Sequence, residues 1–466
     1  MRLFASIELL LLVVLICLSP HASAQPKVDP KKKSELEKWI ARVEAEPEPE
    51  KQLRAVVAKL KEYNPGYNEV VREHKVEGGK ITVLSLSTYY ITDIDPLRAL
   101  PHLRKLTLTE NVSGKLVDLA PLKKMKLSYL YVSVNPIADL GPLQGMPLEE
   151  LYCSTTEVKD LKPLKGMPLR RLNCSGAKVA VSDITPLKGM PLVELYLTGS
   201  HTNRIPDVIP LQGMPLEILE IAPSNVRDLT PLKGMPLTAL RINDAKIADL
   251  SPLRGMPLTD LQVALNPVGN EDMAYLRGMK LKTFICGRTQ ITDLAVVEEM
   301  PLTRLECYRS RIASLPPLGN TMLDSINIED TPISDLGFLK RTKVTKINME
   351  GTAVKNLAPL KGLSFTHLYA DRSQISDLTP LEGMKSLRIL HIAKTQVKSL
   401  APLKGMEFSE LFMSQTPFRD FAQLGDLTVT DLECELPRNP KDLAVLKGMK
   451  KLKILNGKPS VEILGK

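Results

Sequence analysis

The sequence predicts an α/β solenoid, with a continuous parallel β-sheet on the concave face and short 3₁₀ turns on the convex face. Three observations predict it. The phrase DLTPLKGMPL at Asp228 returns as DLSPLRGMPL at Asp249, 21 residues later. Each repeat contains an alternating apolar segment, and most repeats carry a proline that limits a helix to one turn. Because one strand and one turn cannot enclose a core, successive units must stack and share one.

The repeated phrase occurs about 17 times between residues 93 and 442, mostly in steps of 21 residues. Leu240 and Ile242 alternate with Arg241 as in a strand with one buried face. Pro231 suits the first position of a short turn, and Gly234 ends it. The aspartate that opens the phrase is expected to cap the exposed amides of the turn rather than to act as an acid or base.

A short polar residue recurs five positions after the first strand leucine. We expect this side chain to hydrogen-bond the turn backbone of the adjacent rung. The residues at this position include Asn135, Thr156, Asn266, Thr289, Thr352 and Thr395.

The N-terminus has the features of an export signal, predicted over residues 1–24. Arg2 precedes the apolar run Leu9–Leu18, and the small-residue pattern Ala22-Ser23-Ala24 precedes Gln25. The apolar run is too short to span a bilayer, and no later segment approaches that length. We therefore expect a secreted, periplasmic or cell-envelope protein without a transmembrane helix after signal cleavage.

Three further regions are predicted. Residues 25–66 form a helical N-terminal segment interrupted by an acidic, proline-containing stretch. Residues 67–457 form the solenoid, whose N-terminal hairpin cap turns at Gly78-Gly79. Residues 458–466 form a C-terminal tail that covers the last rung.

The amino-acid composition indicates which classes of partner suit the protein. The formal charge of +9 favours polyanionic envelope polymers or acidic proteins, and an exported location makes nucleic acid an unsuitable partner. Aromatic residues make up only 4% of the chain, so an exposed aromatic side chain is informative.

At this point the pattern L-x-x-L-x-[LIVC]-x-x-[NT]-x-[IV], followed by D-[LI]-x-P-L, resembles a short bacterial leucine-rich repeat. The DLxPL half is similar to the internalin-like class, and PLKGMPL is similar to planctomycete-type repeats, which often follow a kinase module. The resemblance covers roughly residues 81–457. It implies the fold and a protein-binding role. The chain lacks the glycine loop, HRD and DFG motifs of a kinase.

The sequence indicates neither catalysis nor a bound cofactor. It contains no H-E-x-x-H, G-x-S-x-G or C-x-x-C motif, and no cysteine or histidine approaches metal-ligand spacing. Five cysteines occupy the second inward position of a strand. We expect them to be buried thiols, although neighbouring pairs leave disulfides conceivable. They are Cys153, Cys174, Cys286, Cys307 and Cys434.

The concave strand face is the candidate binding surface. Arginine and aromatic side chains, which dominate interface energies, concentrate there, although strands also favour tyrosine by propensity. Insertions after several strands border the same face, among them the segment at residues 198–207. The candidate residues on the face are Tyr131, Tyr152, Tyr196, Glu220, Arg241, Glu306, Tyr369, His391 and Phe412, and those in the edge loop are His201, Asn203 and Arg204.

These observations favour a non-enzymatic binding protein that grips an extended protein or peptide. Tyrosines 131, 152 and 196 are the expected anchors. Two alternatives remain open: recognition of a cell-wall glycan, which suits aromatic rows, and a purely structural role in the cell envelope.

Overall fold

The computed structural model describes residues 30–109, 114–176, 178–199, 204–319 and 321–465, so the predicted signal peptide lies outside it. In this part of the chain a single sheet has 20 strands. The helices are α1 Pro30–Glu44, α2 Pro49–Tyr63, α3 Pro440–Gly448 and α4 Ser460–Leu464. The strands are β1 Val71–Glu77, β2 Lys80–Ser87, β3 Lys105–Thr109, β4 Tyr129–Tyr131, β5 Glu150–Tyr152, β6 Arg171–Asn173, β7 Glu194–Tyr196, β8 Ile218–Glu220, β9 Ala239–Arg241, β10 Asp260–Gln262, β11 Thr283–Ile285, β12 Arg304–Glu306, β13 Ser325–Asn327, β14 Lys346–Asn348, β15 His367–Tyr369, β16 Ile389–His391, β17 Glu407–Phe412, β18 Thr428–Glu433, β19 Ile454–Leu455 and β20 Lys458–Pro459.

The sheet follows the chain order. Strands β2 to β19 pair in parallel, each with the next. Strand β1 is antiparallel to β2, and β20 is antiparallel to β19. Between most strands lies one 3₁₀ turn, such as Thr230–Leu232 or Ser251–Leu253. The predicted parallel solenoid is therefore observed.

The core lies between the sheet and the row of 3₁₀ turns. Leu240 and Ile242 of one rung point into it from the strand side, and Leu232 enters from the turn side. All three are fully buried. Each such side chain stabilises the array by roughly 1.5–3 kcal/mol, and its neighbours in the adjacent rungs supply the contacts that a single unit lacks.

The aspartate that opens the repeated phrase caps the turn, as predicted. Asp183 accepts hydrogen bonds from the amide of Thr185 at 2.8 Å and from its hydroxyl at 2.6 Å. Asp228 accepts from the amide of Thr230 at 2.7 Å. The threonine hydroxyl, followed by the backbone amide, lowers the pKa of both carboxyls. These carboxylates are therefore positioned as structural caps of amides that have no partner inside the turn.

The short polar residue after each strand behaves in two ways. Asn266 reaches the adjacent rung, as predicted: its side-chain amide donates to the Ile242 carbonyl at 2.8 Å, and its oxygen accepts from the Ile247 amide at 3.0 Å. The prediction is wrong for threonine. Thr289 donates to the Cys286 carbonyl of its own rung at 2.7 Å, because its shorter side chain does not extend to the next one.

In most rungs the residue three positions after the end of the strand adopts a left-handed backbone conformation, which the sequence did not predict. Its φ lies between 50° and 63°. This geometry turns its amide toward the next rung, so that the backbone ladder continues beyond the strand; the Lys394 amide, for example, donates to the Ser414 carbonyl at 2.9 Å. The residues other than glycine are Val134, Thr155, Asp244, Leu265, Arg288, Arg309, Asp330, Arg372, Lys394 and Gln415.

Replacing Lys394 by glycine is expected to stabilise the array by about 0.5–1 kcal/mol. The exposed Lys394 has φ 58°, which costs a residue with a Cβ about 1–2 kcal/mol, more than the extra entropy that glycine loses on folding. Lys398 is also exposed and has a negative φ, so Lys398→Gly is the matched control and should destabilise. Urea unfolding followed by circular dichroism measures both. Equal destabilisation by the two variants would contradict the prediction.

Both ends of the array are covered. Helix α1 buries Leu36, Ile40 and Val43, and α2 buries Leu53 and Val56, at the 3–4 residue spacing of one helical face. Both helices pack against the first 3₁₀ turn, Asp95–Ala99. The β1–β2 hairpin turns at Gly78 and Gly79, whose φ values of 55° and 72° suit glycine. At the other end Leu464 of α4 is buried. The first and last rungs are thus covered by chain outside the repeats.

Candidate functional site

The third residue of the short strands forms one continuous row across the outer face of the sheet. Parallel pairing in register places Tyr131 opposite Tyr152, and Tyr369 opposite His391. We call this row the concave column. It contains every predicted binding residue on the face: Tyr131, Tyr152, Tyr196, Glu220, Arg241, Glu306, Tyr369, His391 and Phe412. All are partly exposed.

Two of the predicted tyrosines near the N-terminal end, Tyr131 and Tyr152, form a compact group of three rings with the neighbouring Tyr129. Tyr131 stacks on Tyr152 with centroids 5.6 Å apart and planes at 26°. Tyr129, the first residue of its strand, lies 5.6 Å from the same ring. The Lys105 ammonium lies 6.0 Å from the Tyr129 centroid. Tyr196 stands two rungs beyond Tyr152, with Asn173 between them in the column.

An ion-pair network holds two of these tyrosines. The Tyr152 hydroxyl donates to Glu150 at 2.9 Å and the Tyr196 hydroxyl donates to Glu194 at 3.3 Å. Arg171 lies between the two carboxylates, 3.1 Å from Glu150 and 2.9 Å from Glu194. Burial, with the bond to Glu150, raises the pKa of Tyr152. Both rings are therefore neutral at pH 7 and held in one orientation by these hydrogen bonds.

The charged residues in the middle of the column are paired with each other or with a neighbour. Arg241 lies 3.2 Å from Glu220 and 2.7 Å from Asp260 of the next strand. The Arg304 Nε lies 2.7 Å from Glu306. Glu220, Arg241 and Glu306 thus form a fixed polar surface on which the charges are compensated.

A second aromatic group lies near the C-terminal end. His391 stacks on Phe412 at 4.2 Å with planes at 18°, and the Tyr369 ring meets His391 edge-on at 4.9 Å. His367 lies 6.2 Å from Tyr369. The His391 Nε2 is 3.0 Å from Glu410, and only 13% of its side chain is exposed. The structure brings the three predicted residues together as one stack across consecutive rungs.

The predicted edge-loop residues have different outcomes. His201 and Asn203 lie outside the described residues. The Arg204 guanidinium lies 3.0 Å from the Asp244 carboxylate, two rungs away, and donates to the Ser224 carbonyl at 3.2 Å. These contacts tie Arg204 to the solenoid edge, which is a structural role.

A second row of outward side chains, each two residues after a column residue, was not predicted from the sequence. Tyr308 covers Gly287, where a Cβ would lie 2.6 Å from the ring. In the next three rungs the row holds Glu329, Glu350 and Asp371. Period-two alternation places this row on the outer face, and it could have been found by extending the alternation past the strand end.

The five cysteines are buried free thiols. Burial raises the pKa of Cys307 and of Cys434 to about 12. The pKa of Cys153 is raised by a hydrogen bond with Cys174 and then by burial. At neutral pH these groups are protonated, which suits side chains that fill the core rather than nucleophiles.

In the part of the chain that the structure describes, no group of three or more histidine, cysteine, aspartate or glutamate side chains is placed to hold a metal ion. None of the helices that the structure describes has the length and apolarity to cross a membrane.

Several solved structures are similar to this chain. The Arabidopsis receptor kinase HAESA, in complex with the peptide hormone IDA and the co-receptor SERK1, is 16% identical over 87% of this chain and 86% of its own, with a TM-score of 0.52. The functional domain of InlJ from Listeria monocytogenes is 21% identical over 77% of this chain and 74% of its own (TM-score 0.45). An internalin from Listeria monocytogenes, InlF, is 19% identical over 88% of this chain and 91% of its own (TM-score 0.30).

No protein-family model matches the sequence, and no curated protein matches it. At these identities the structural likeness shows the fold alone. The predicted fold class is confirmed: the chain is a leucine-rich repeat solenoid.

Proposed function

We propose that the concave face binds an extended protein or peptide and that the protein has no enzymatic activity. The observation that carries the proposal is the concave column, in which partly exposed aromatic and charged side chains lie in register across successive strands. An extended polypeptide laid across the strands would meet one column residue per rung, about every 4.8 Å. Aromatic and arginine side chains in such positions supply most of the energy of protein interfaces.

Two further points support this function. HAESA shares the fold and was solved with a peptide hormone, so a solenoid of this architecture can accept a peptide. The N-terminal segment has the pattern of a cleaved export signal. We accordingly propose that the protein acts outside the cytoplasm, in the periplasm, at the cell envelope or as a secreted protein.

The test is a pull-down from the envelope fraction of the source cell, with the chain from Gln25 onward as bait. A triple variant replaces tyrosines 131, 152 and 196 by alanine. We expect it to capture the partner at least about tenfold less than the unmodified chain, because aromatic anchors of this kind dominate interface energies. The matched control replaces three tyrosines outside the column, Tyr89, Tyr90 and Tyr275, and should capture the partner normally.

Circular dichroism of each bait verifies that the solenoid is folded. Equal capture by both triple variants would remove the tyrosines as anchors. Capture of wall polymer, with release by soluble glycan, would replace the polypeptide ligand by an envelope polysaccharide. Repetitive self-association that is insensitive to the tyrosine changes would indicate a structural envelope component instead.

A further inference from the structure

Charge is distributed unevenly along the concave face. Three outward positions exist in each rung: the column residue and the residues two before and two after it. In the five rungs β5 to β9 these positions hold two basic residues, Arg171 and Arg241, and three acidic ones, Glu150, Glu194 and Glu220. In the five rungs β14 to β18 they hold one basic residue, Lys346, and six acidic ones: Glu350, Asp371, Glu410, Asp431, Glu433 and Glu435. The chain as a whole carries a formal charge of +9, so the net charge of this segment is opposite in sign to that of the whole chain.

The two segments also differ in internal pairing. In β5 to β9 each acid contacts an arginine of the same face. In β14 to β18 the described residues provide no ion pair within 4.0 Å for Asp371, Asp431 or Glu433. The Asp431 Oδ1 is buried and has no hydrogen-bond partner. Glu350 lies 3.6 Å from Arg372 and Glu410 lies 3.0 Å from His391, so the negative charge without an ion-pair partner in this segment belongs to the other acids.

The protonation equilibria agree with that description. Burial raises the pKa of Glu350, and the Asp371 and Glu329 carboxylates raise it further. Burial likewise raises the pKa of Asp431, with repulsion from Glu410 and Glu433. Repulsion of this kind is relieved when a positive charge approaches.

The aromatic stack lies between these carboxylates. Tyr369, His391 and Phe412 occupy the column of β15 to β17, and acids lie on both sides: Asp371 after the column, and Glu410 and Asp431 before it. A guanidinium group can stack on a ring face while it donates to a neighbouring carboxylate, and an ammonium group is attracted by both. The combination selects basic side chains over acidic or neutral ones.

We propose that the partner docks a basic, extended segment across β14 to β18, with arginine or lysine side chains between the aromatic stack and the flanking carboxylates. The inference rests on the proposed function and names its partner class. Five rungs span about 19 Å, which roughly six extended residues cover. An acidic polysaccharide would be repelled from this segment.

The test uses three fluorescein-labelled peptides of about twelve residues, in which serine alternates with arginine, with glutamine or with glutamate. Their binding to the chain from Gln25 onward is measured by the fluorescence anisotropy of the label. We expect the arginine peptide alone to bind, more weakly as salt is added, because exposed charges are screened. The variant Asp371→Asn, Asp431→Asn, Glu433→Gln should weaken this binding at least about tenfold. The matched control Glu298→Gln, Glu299→Gln, Glu382→Gln removes three exposed carboxylates from the convex side and should bind as the unmodified chain does.

None of the three acids forms an ion pair among the described residues, and an asparagine oxygen can still accept the 2.6 Å bond that the Ala393 amide donates to Asp371. The substitutions should therefore leave the fold intact, which circular dichroism verifies. Binding of the glutamine or glutamate peptide as tightly as the arginine peptide would overturn the inference, as would equal affinity of the acid variant and its control, or no binding of the arginine peptide. Concentration-dependent assembly that the acid variant abolishes would also overturn it, by making a second copy of this basic chain the occupant. The proposed function fails separately, if the envelope pull-down captures no polypeptide.

Discussion

Replacing Asn266 by alanine is expected to lower the free energy of unfolding by about 3 kcal/mol. Only 2% of Asn266 is exposed. Its amide group donates to the carbonyls of Ile242, Val263 and Ala264 at 2.8–3.2 Å, and its oxygen accepts from the Ile247 amide at 3.0 Å. Alanine would leave the Ile242 and Val263 carbonyls and the Ile247 amide buried without a partner, in two rungs at once, whereas the Ala264 carbonyl keeps its bond from the Asp244 amide at 3.0 Å.

The matched control is Thr289→Ala in the next rung. Thr289 occupies the equivalent position and makes one bond within its own rung, so its loss should cost about 1 kcal/mol. Urea unfolding of both variants gives the difference, and hydrogen exchange at the Ile247 amide gives its location. Equal costs for the two variants, or unchanged protection of Ile247, would show that the inter-rung bonds of Asn266 do not contribute as described.

Replacing Asn64 by alanine is expected to detach the N-terminal helices before the solenoid unfolds, at a local cost of about 2–3 kcal/mol. Asn64 follows α2 and is 2% exposed. Its amide donates to the carbonyls of Leu60 at 2.9 Å and Asp93 at 2.8 Å, and its oxygen accepts from the amides of Thr92 and Asp93. One side chain therefore joins the end of α2 to the first rung.

Trp39 makes this prediction measurable, because it is the single tryptophan of the chain and lies in α1. In the Asn64→Ala variant its fluorescence should change at a lower urea concentration than the circular dichroism of the array. Thr92→Ala removes only a 3.3 Å bond to Asn64 and serves as the control. If both transitions of the Asn64→Ala variant occur at the same urea concentrations as in the unmodified chain, Asn64 does not hold the N-terminal helices to the first rung.

Much of the fold could be predicted because its causes are local and repeated. The alternation of Leu240, Arg241 and Ile242 gives each strand one buried face, and the aspartate and proline of the phrase define the turn. The membership of the concave column follows from the same alternation. The inward position of Cys153 and its equivalents was predicted in the same way.

Several features could not be predicted. The left-handed residue after each strand is held by hydrogen bonds to the next rung, and the residue types found there, such as Leu265 and Arg288, give no local signal for it. The contact between Arg204 and Asp244 spans 40 residues of sequence. The stacking of Tyr131 on Tyr152, with planes at 26°, and the tilted contact of Tyr129 with the same ring depend on side-chain orientations.

The sequence by itself determined the repeat, the parallel solenoid and the residues that face outward, since these depend on spacings within one unit of about 21 residues. The tertiary structure alone decided which outward charges are neutralised. Glu150 and Glu194 share Arg171 across neighbouring strands, whereas Asp371, Asp431 and Glu433 have no such ion pair among the described residues. The physical reason is that pairing depends on side chains about 5 Å apart in space, contributed by different rungs. The pattern of one repeat contains no information about that geometry.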